Sequence, residues 1–157
     1  MRRHFPGTLY SVSPKIVKMI PTSILTNERV AWYGRWKYGT FIMVAVAATN
    51  VGDIKAEFDH EICTNNSGSQ EVSEKIYDEP LVFRFKFSEL SSTFSLLNQC
   101  RRGDDFGHFN FGSTLVLIYE APHEINFGPN PVRRIRMGEN IVSSRNDGNL
   151  AFSSKSI

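Results

Sequence analysis

The sequence has few cysteines, no long apolar segment and no excess of charge of one sign. Only two cysteines, Cys63 and Cys100, occur among 157 residues, and their surroundings have no CxxC or Cys/His spacing. This argues against a disulfide framework and against a zinc site. The longest apolar run, residues 41–48, is far shorter than the roughly 20 residues that cross a bilayer as a helix. The net charge is +2, and acidic and basic residues are mixed along the chain. This charge distribution predicts no nucleic-acid partner.

Segments rich in β-branched and aromatic residues, bounded by Gly, Asn or Asp, predict a mostly β fold. These segments are 30–33, 40–50, 53–58, 81–87 and 114–120. Residues 41–48 do not alternate, which favours a central strand covered on both faces. Residues 15–25 predict a short helix interrupted at Pro21. We therefore expect a compact antiparallel β-sandwich or barrel-like body (α+β) with one or two short helices. It would form one domain over 1–142, with a flexible tail over 143–157.

One segment carries a chemical signal. Gly112-Ser113-Thr114 directly precedes an apolar strand. Taken alone this motif is weak, because a glycine at a bend or bulge followed by a serine at a strand start is far commoner than catalysis. The motif alone therefore predicts a structural role for Gly112 and Ser113. A catalytic role needs support from elsewhere in the chain.

The support comes from a resemblance over nearly the whole chain to phosphatidylserine decarboxylases of the mitochondrial and bacterial type. The blocks that resemble the family, in its order, are RRHFPGTLYSVSP (2–14), TNERV (26–30), VAATNVGDI (46–54), GHFNFGSTLVLIYEAP (107–122) and RMGE (136–139). They cover about residues 2–142, with a gap near 67–100. The family usually has leucine before Gly-Ser-Thr, where this chain has Phe111.

The resemblance implies a proenzyme that makes its own pyruvoyl cofactor from Ser113. A strained Gly112-Ser113 bond would let the Ser113 hydroxyl attack the Gly112 carbonyl, leaving a β-chain part (1–112) and an α-chain part (113–157) that stay associated. The pyruvoyl ketone would form a Schiff base with phosphatidylserine in a membrane and accept electrons as carbon dioxide leaves, giving phosphatidylethanolamine. The resemblance also implies a peripheral place on the mitochondrial inner membrane, and a homo-oligomer is allowed.

Serine needs a base within hydrogen-bond reach, usually a histidine oriented by a carboxylate. In the family, that His and Asp come from segments upstream of the block at 2–14, so neither has a matching position here. On an extended strand His108 would lie about 16 Å from Ser113, on the opposite face. We interpret His4, His60 and His123 as solvated or satisfied within the core.

Several alternatives remain open from the sequence. The chain could be a truncated, non-catalytic β-domain that binds lipid or the full-length enzyme. A lipoyl-type carrier domain would need a lysine at an exposed hairpin tip, whereas Lys55 and Lys86 fall within predicted strands. Trp32, Trp36 and Tyr38 lie among basic residues but are better explained by core packing than by stacking on nucleic acid. The arginines at 133, 134 and 136 fit a solvated strand face at least as well as a lipid contact.

Overall fold

The structure is a computed structural model that describes residues 1–51, 53–66, 71–78, 81–84, 99–101, 104–121, 125–126, 136, 139, 141 and 143–144. The chain divides into two compact units, Met1–Glu120 and Ala121–Ile157. The elements are β1 (Arg2–Phe5), α1 (Pro14–Met19), α2 (Ser23–Thr26), β2 (Arg29–Trp36), β3 (Gly39–Val46), β4 (Ile54–Ala56), β5 (Ser73–Lys75), β6 (Leu81–Arg84), β7 (Gln99–Arg101), β8 (Gly107–Phe109), β9 (Thr114–Tyr119), β10 (Ile125–Asn126) and β11 (Ser143–Ser144).

The main sheet of the first unit has the strand order β5-β1-β2-β3-β9, and these neighbours are all antiparallel. β6 pairs with β2 beyond the end of β1, and β7 pairs with β6, both in parallel. A separate ladder joins β4 and β8. The prediction of a mostly β fold with two short helices is confirmed. The described strands form open sheets rather than a closed barrel, and the two parallel pairings were not expected.

In the second unit, β10 and β11 form an antiparallel pair of two residues each. Ser143 and Ser144, the first residues of the predicted tail, therefore belong to a strand. The rest of that tail, residues 145–157, lies outside the described residues. The prediction of one domain over 1–142 stays a prediction.

β3 lies between β2 and β9 and supplies much of the core, as its unbroken apolar sequence predicts. Phe41, Ala45 and Val46 are buried, and the three residues between Phe41 and Ala45 are half-buried. The Trp32 side chain, only 2% exposed, packs edge-on against Phe106 at a ring distance of 5.2 Å. Core packing is thus confirmed as the role of this tryptophan.

At the far end of β9, Glu120 fastens this strand to the β2–β3 hairpin. Its carbonyl accepts a hydrogen bond from Trp36 Nε1 at 2.9 Å, and its carboxylate accepts one from the Thr40 N–H at 2.5 Å. Gly39 has φ +125°, and a Cβ at this position would overlap the Glu120 carboxylate. A glycine is therefore required where the hairpin approaches Glu120.

The two helices break between Ile20 and Thr22, as Pro21 predicts. α1 begins at Pro14. The N–H of the first residue of a helix has no partner within the helix, so a proline there costs no hydrogen bond. α1 buries none of its residues and α2 buries only Ser23. Within the described ranges no helix is long and apolar enough to cross a bilayer.

β1 points two ionisable side chains into the interior. His4 Nε2 lies 2.8 Å from Glu28 Oε1, and Arg2 Nε lies 3.5 Å from Asp59 Oδ2. Asp59 also accepts a hydrogen bond from the Tyr77 hydroxyl at 2.6 Å. Burial first, and then this hydrogen bond, raise the pKa of Tyr77 above its ordinary value. The interpretation of His4 as satisfied within the core is confirmed.

Candidate self-cleavage site

Ser113 lies immediately before β9, the outermost strand on one side of the described main sheet. β9 pairs with β3 from Phe41↔Tyr119 to Val46↔Thr114, so Ser113 comes to the carboxyl end of β3. There its Oγ donates a hydrogen bond to the Val46 carbonyl. The serine is therefore held by its side chain as well as by the strand that follows it.

The chain just before the candidate bond is anchored separately. The Asn110 backbone N–H donates to the Asp53 carbonyl at 3.1 Å, and Asn110 Nδ2 lies 3.3 Å from Asp53 Oδ2. Only Phe111 and Gly112 lie between this anchor and Ser113, and the Phe111 side chain is 64% exposed. The candidate bond thus belongs to a short, exposed span fixed at both ends.

Gly112 is an uncrowded residue without a positive φ. The positive φ values among the described glycines occur at Gly39 and Gly107 and not at Gly112. A Cβ added at Gly112 would meet no atom within 4 Å. Neither a positive φ nor a crowded Cβ position marks Gly112, and the expectation of a strained Gly112-Ser113 bond stays a prediction. What remains is the open approach to the Gly112 carbonyl that the sequence predicts.

No described imidazole or carboxylate hydrogen-bonds the Ser113 hydroxyl. His108 lies on β8 with its Nδ1 3.6 Å from Glu57 Oε1, His4 is buried against Glu28, and His60 is exposed. His123 lies outside the described residues. The Val46 carbonyl orients the hydroxyl but is too weak a base to take its proton. The described residues therefore position the Ser113 hydroxyl without placing a base beside it.

Asn27 supports the end of β3 from the other side. This fully buried side chain donates from Nδ2 to the carbonyls of Ala47, at 2.9 Å, and Tyr10, at 2.7 Å. The Ala47 N–H in turn donates to the Glu28 carbonyl at 2.8 Å. The backbone that receives the Ser113 hydroxyl is thus fixed by the segment preceding β2.

Sequence analysis found Gly112 and Ser113 but not the residues that position them. One indication of their importance was present in the sequence. Each lies inside a block that carries the family resemblance: Asn27, Asp53 and Asn110. Nothing in their spacing indicates that they converge on one end of β3, because each contact joins segments far apart in the chain.

Comparisons with known proteins show the family of this chain. The family model for phosphatidylserine decarboxylase matches residues 1–143. The chain is similar to "Phosphatidylserine decarboxylase proenzyme 1, mitochondrial" of Saccharomyces cerevisiae, with 38% identity over 94% of this chain and 28% of the relative. It is similar to the mitochondrial proenzyme of Pongo abelii, with 42% identity over 90% of this chain and 32% of the relative. The corresponding proenzyme of Caenorhabditis elegans is 34% identical over 90% of this chain and 33% of the relative.

The chain thus spans about a third of the length of these curated relatives. No solved structure matches it significantly.

Proposed function

The chain belongs to the phosphatidylserine decarboxylase family, and from this membership we propose that it is the self-cleaving part of a pyruvoyl-dependent phosphatidylserine decarboxylase. The observation that carries the proposal is the placement of Ser113, whose Oγ is held by the Val46 carbonyl beside an exposed Gly112 peptide. No described packing contact requires a glycine at 112, because a Cβ there would meet no atom within 4 Å.

In the proposed cleavage, the Ser113 Oγ adds to the Gly112 carbonyl carbon and the Gly112–Ser113 amide becomes an ester. A base then takes the Ser113 Cα proton, and the Gly112 carboxylate leaves with the Cβ–Oγ bond electrons. Water hydrolyses the resulting enamine through its imine, and ammonia departs. The products are a chain that ends at Gly112 and a chain that begins with a pyruvoyl group at position 113.

The described residues suit a pyruvoyl group at this position. Ser113 is half-buried, starts an anchored strand and adjoins an exposed span. When formed, the group supplies a ketone that takes the substrate amine and accepts the electron pair released with carbon dioxide. The chain's own residues hold it in place through β9, and the substrate would be phosphatidylserine within a membrane. The product would be phosphatidylethanolamine.

The two products would remain together, because six residue pairs join β3 to β9 across the cut. The relatives' names give a mitochondrial location, and we extend the proposal to a peripheral place on the mitochondrial inner membrane.

The test is the intact mass of the purified chain under denaturing conditions. Cleavage would give fragments 1–112 and 113–157, the second lighter by one ammonia than a fragment that starts with serine. Ser113→Ala should remove both fragments, whereas Thr114→Val, a change to the neighbouring hydroxyl, should leave them in place. Incubation with phosphatidylserine should then release carbon dioxide.

An uncut wild-type chain that remains uncut when expressed with the upstream part of a longer relative would contradict the proposal. A cut that persists in Ser113→Ala would contradict the assigned nucleophile.

A further inference from the structure

Residues 6–27, between β1 and the buried Glu28 that precedes β2, expose apolar and basic side chains together. Met19 is 76% exposed and Leu25 68% exposed, and Tyr10 and Ile20 are also exposed. Lys15 and Lys18 are the charged residues of this segment. It contains no aspartate or glutamate, since the first acidic residue of the chain is Glu28.

This segment lies at the same end of the main sheet as Ser113. The carbonyl of Val46 receives the Ser113 hydroxyl, and the next carbonyl, that of Ala47, receives Asn27 Nδ2 at 2.9 Å. Thr49 Oγ1 donates to the Leu9 carbonyl at 2.6 Å and ties the same end of β3 to the start of the segment. β1 and β9 are separated here by three strand spacings of about 4.8 Å each.

The composition of this surface identifies what would cover it. Exposed Met, Ile, Leu and Tyr side chains beside lysines, with no acid among them, match the interface of an anionic bilayer, where apolar groups enter the acyl boundary and lysines remain at the headgroups. Among the described residues, the exposed apolar Ile76 differs from this surface, because the exposed acidic residues Glu74 and Asp78 flank it in sequence.

We propose that the surface formed by Tyr10, α1, Ile20 and Leu25 docks onto an anionic bilayer. The proposal rests on the proposed function, because a decarboxylase that acts on a membrane lipid must present its reacting group to that membrane. Docking through residues 10–25 brings the end of the sheet that carries Ser113 against the headgroups. The enzyme would then reach its substrate without extracting it into water.

Vesicle co-sedimentation of the whole chain tests this. The vesicles are phosphatidylcholine alone, or phosphatidylcholine mixed with phosphatidylglycerol, an anionic lipid that is not the substrate. We expect binding to the anionic vesicles that weakens with salt. Lys15→Glu with Lys18→Glu should lower the affinity at least tenfold, because each lysine near an anionic surface contributes about fivefold. Met19→Ser with Leu25→Ser should lower it at least tenfold through lost apolar burial.

The control variants are Lys37→Glu and Ile76→Ser, which change an exposed lysine and an exposed apolar residue elsewhere on the sheet and should leave binding unchanged. All four variants alter exposed side chains, and equal melting temperatures would show that they are folded. Absence of vesicle binding, or equal losses in the control variants, would overturn the docking surface.

A dimer in light scattering that Met19→Ser with Leu25→Ser turns into a monomer would also overturn it and assign the surface to a second copy. Self-cleavage, read from intact mass without lipid, is independent of these results. A chain that cleaves but does not bind vesicles therefore refutes the surface alone. A chain that binds vesicles but stays uncut, even when expressed with the upstream part of a longer relative, refutes the proposed function alone.

Discussion

Asn110 and Asp53 are joined by two hydrogen bonds, one between their backbones at 3.1 Å and one between their side chains at 3.3 Å. This double contact fixes the chain three residues before Ser113, whose own hydroxyl is fixed by Val46. The peptide between Gly112 and Ser113 is therefore confined in position by contacts on both sides. This placement is what the described contacts of the intact chain would contribute to the proposed cleavage.

Gly112→Ala should fold like the wild type and cleave more slowly. The added methyl meets no atom within 4 Å, so the free energy of unfolding should change by less than about 0.5 kcal/mol. The same methyl lies beside the carbonyl that Ser113 attacks, and cleavage should slow. Thermal melting and a time course of intact mass measure the two effects.

Gly39→Ala is the matched control. Position 39 has φ +125°, and the added Cβ would overlap the Glu120 carboxylate. The free energy of unfolding of this variant should therefore fall by about 2 kcal/mol or more. Equal stability losses in the two alanine variants would contradict the contrast between these glycines.

The fragments 1–112 and 113–157 should stay together through the β3–β9 ladder. Residues of β9 whose N–H points toward β3 should contribute more to this association than residues whose N–H points away. The Glu120 N–H donates to the Thr40 carbonyl, so alternate residues back along β9, including Val116, direct their N–H toward β3. Val116→Pro should therefore separate the fragments, whereas Leu117→Pro, where the N–H points away from β3, should be tolerated better. Native mass spectrometry of the co-expressed fragments measures retention, and equal retention in both variants would argue against the ladder.

Asn27→Asp should destabilise the chain by about 3 kcal/mol or more. The change keeps the shape but removes both N–H groups that bind Ala47 and Tyr10, and it places a carboxylate in a fully buried position. Asn50→Asp makes the same change at an exposed residue and should be nearly neutral. Urea unfolding compares the two, and a small effect at Asn27 would contradict its supporting role.

The free energy of unfolding should fall as the pH rises above about 10. The pKa of Tyr77 is raised from 10.0 in the folded chain, first by burial and then by its hydrogen bond to Asp59. The hydrogen bond to Glu61 raises the pKa of Lys75. Each group then holds its proton to higher pH when folded than when unfolded, so stability present below pH 10 is lost above it.

Tyr77→Phe should reduce this alkaline loss, and denaturant unfolding between pH 7 and 11 would measure it. A slope unchanged by the substitution would rule out Tyr77 as its source.

The apolar parts of the fold could be predicted from the sequence, and the inward-facing polar parts could not. The unbroken run of β3 and the Pro21 break between α1 and α2 gave correct elements. β1 was missed because Arg2 and His4 occupy its core-facing positions, and their partners Asp59 and Glu28 lie far away in sequence. A pattern of hydrophobicity cannot reveal a strand whose inward-facing positions carry paired charges.

Ser113 was found by its motif, since the residues that signal it are contiguous. The contacts that position it depend on how β3, β4 and β8 converge, which only the folded chain determines.

Glu120 joins β9 to the β2–β3 hairpin at one end, and Ser113 joins it to Val46 at the other. A strand secured only along its middle can peel away from a frayed end, one residue pair at a time. With both ends fastened, β9 of the intact chain has no loose end from which to unzip. The proposed cleavage takes the Ser113 Oγ away with the Gly112 carboxylate, so the new chain start would keep no hydroxyl bond to Val46. The Glu120 contacts and the six β3–β9 pairs would then hold the two fragments together, and their separation would have to begin at residue 113.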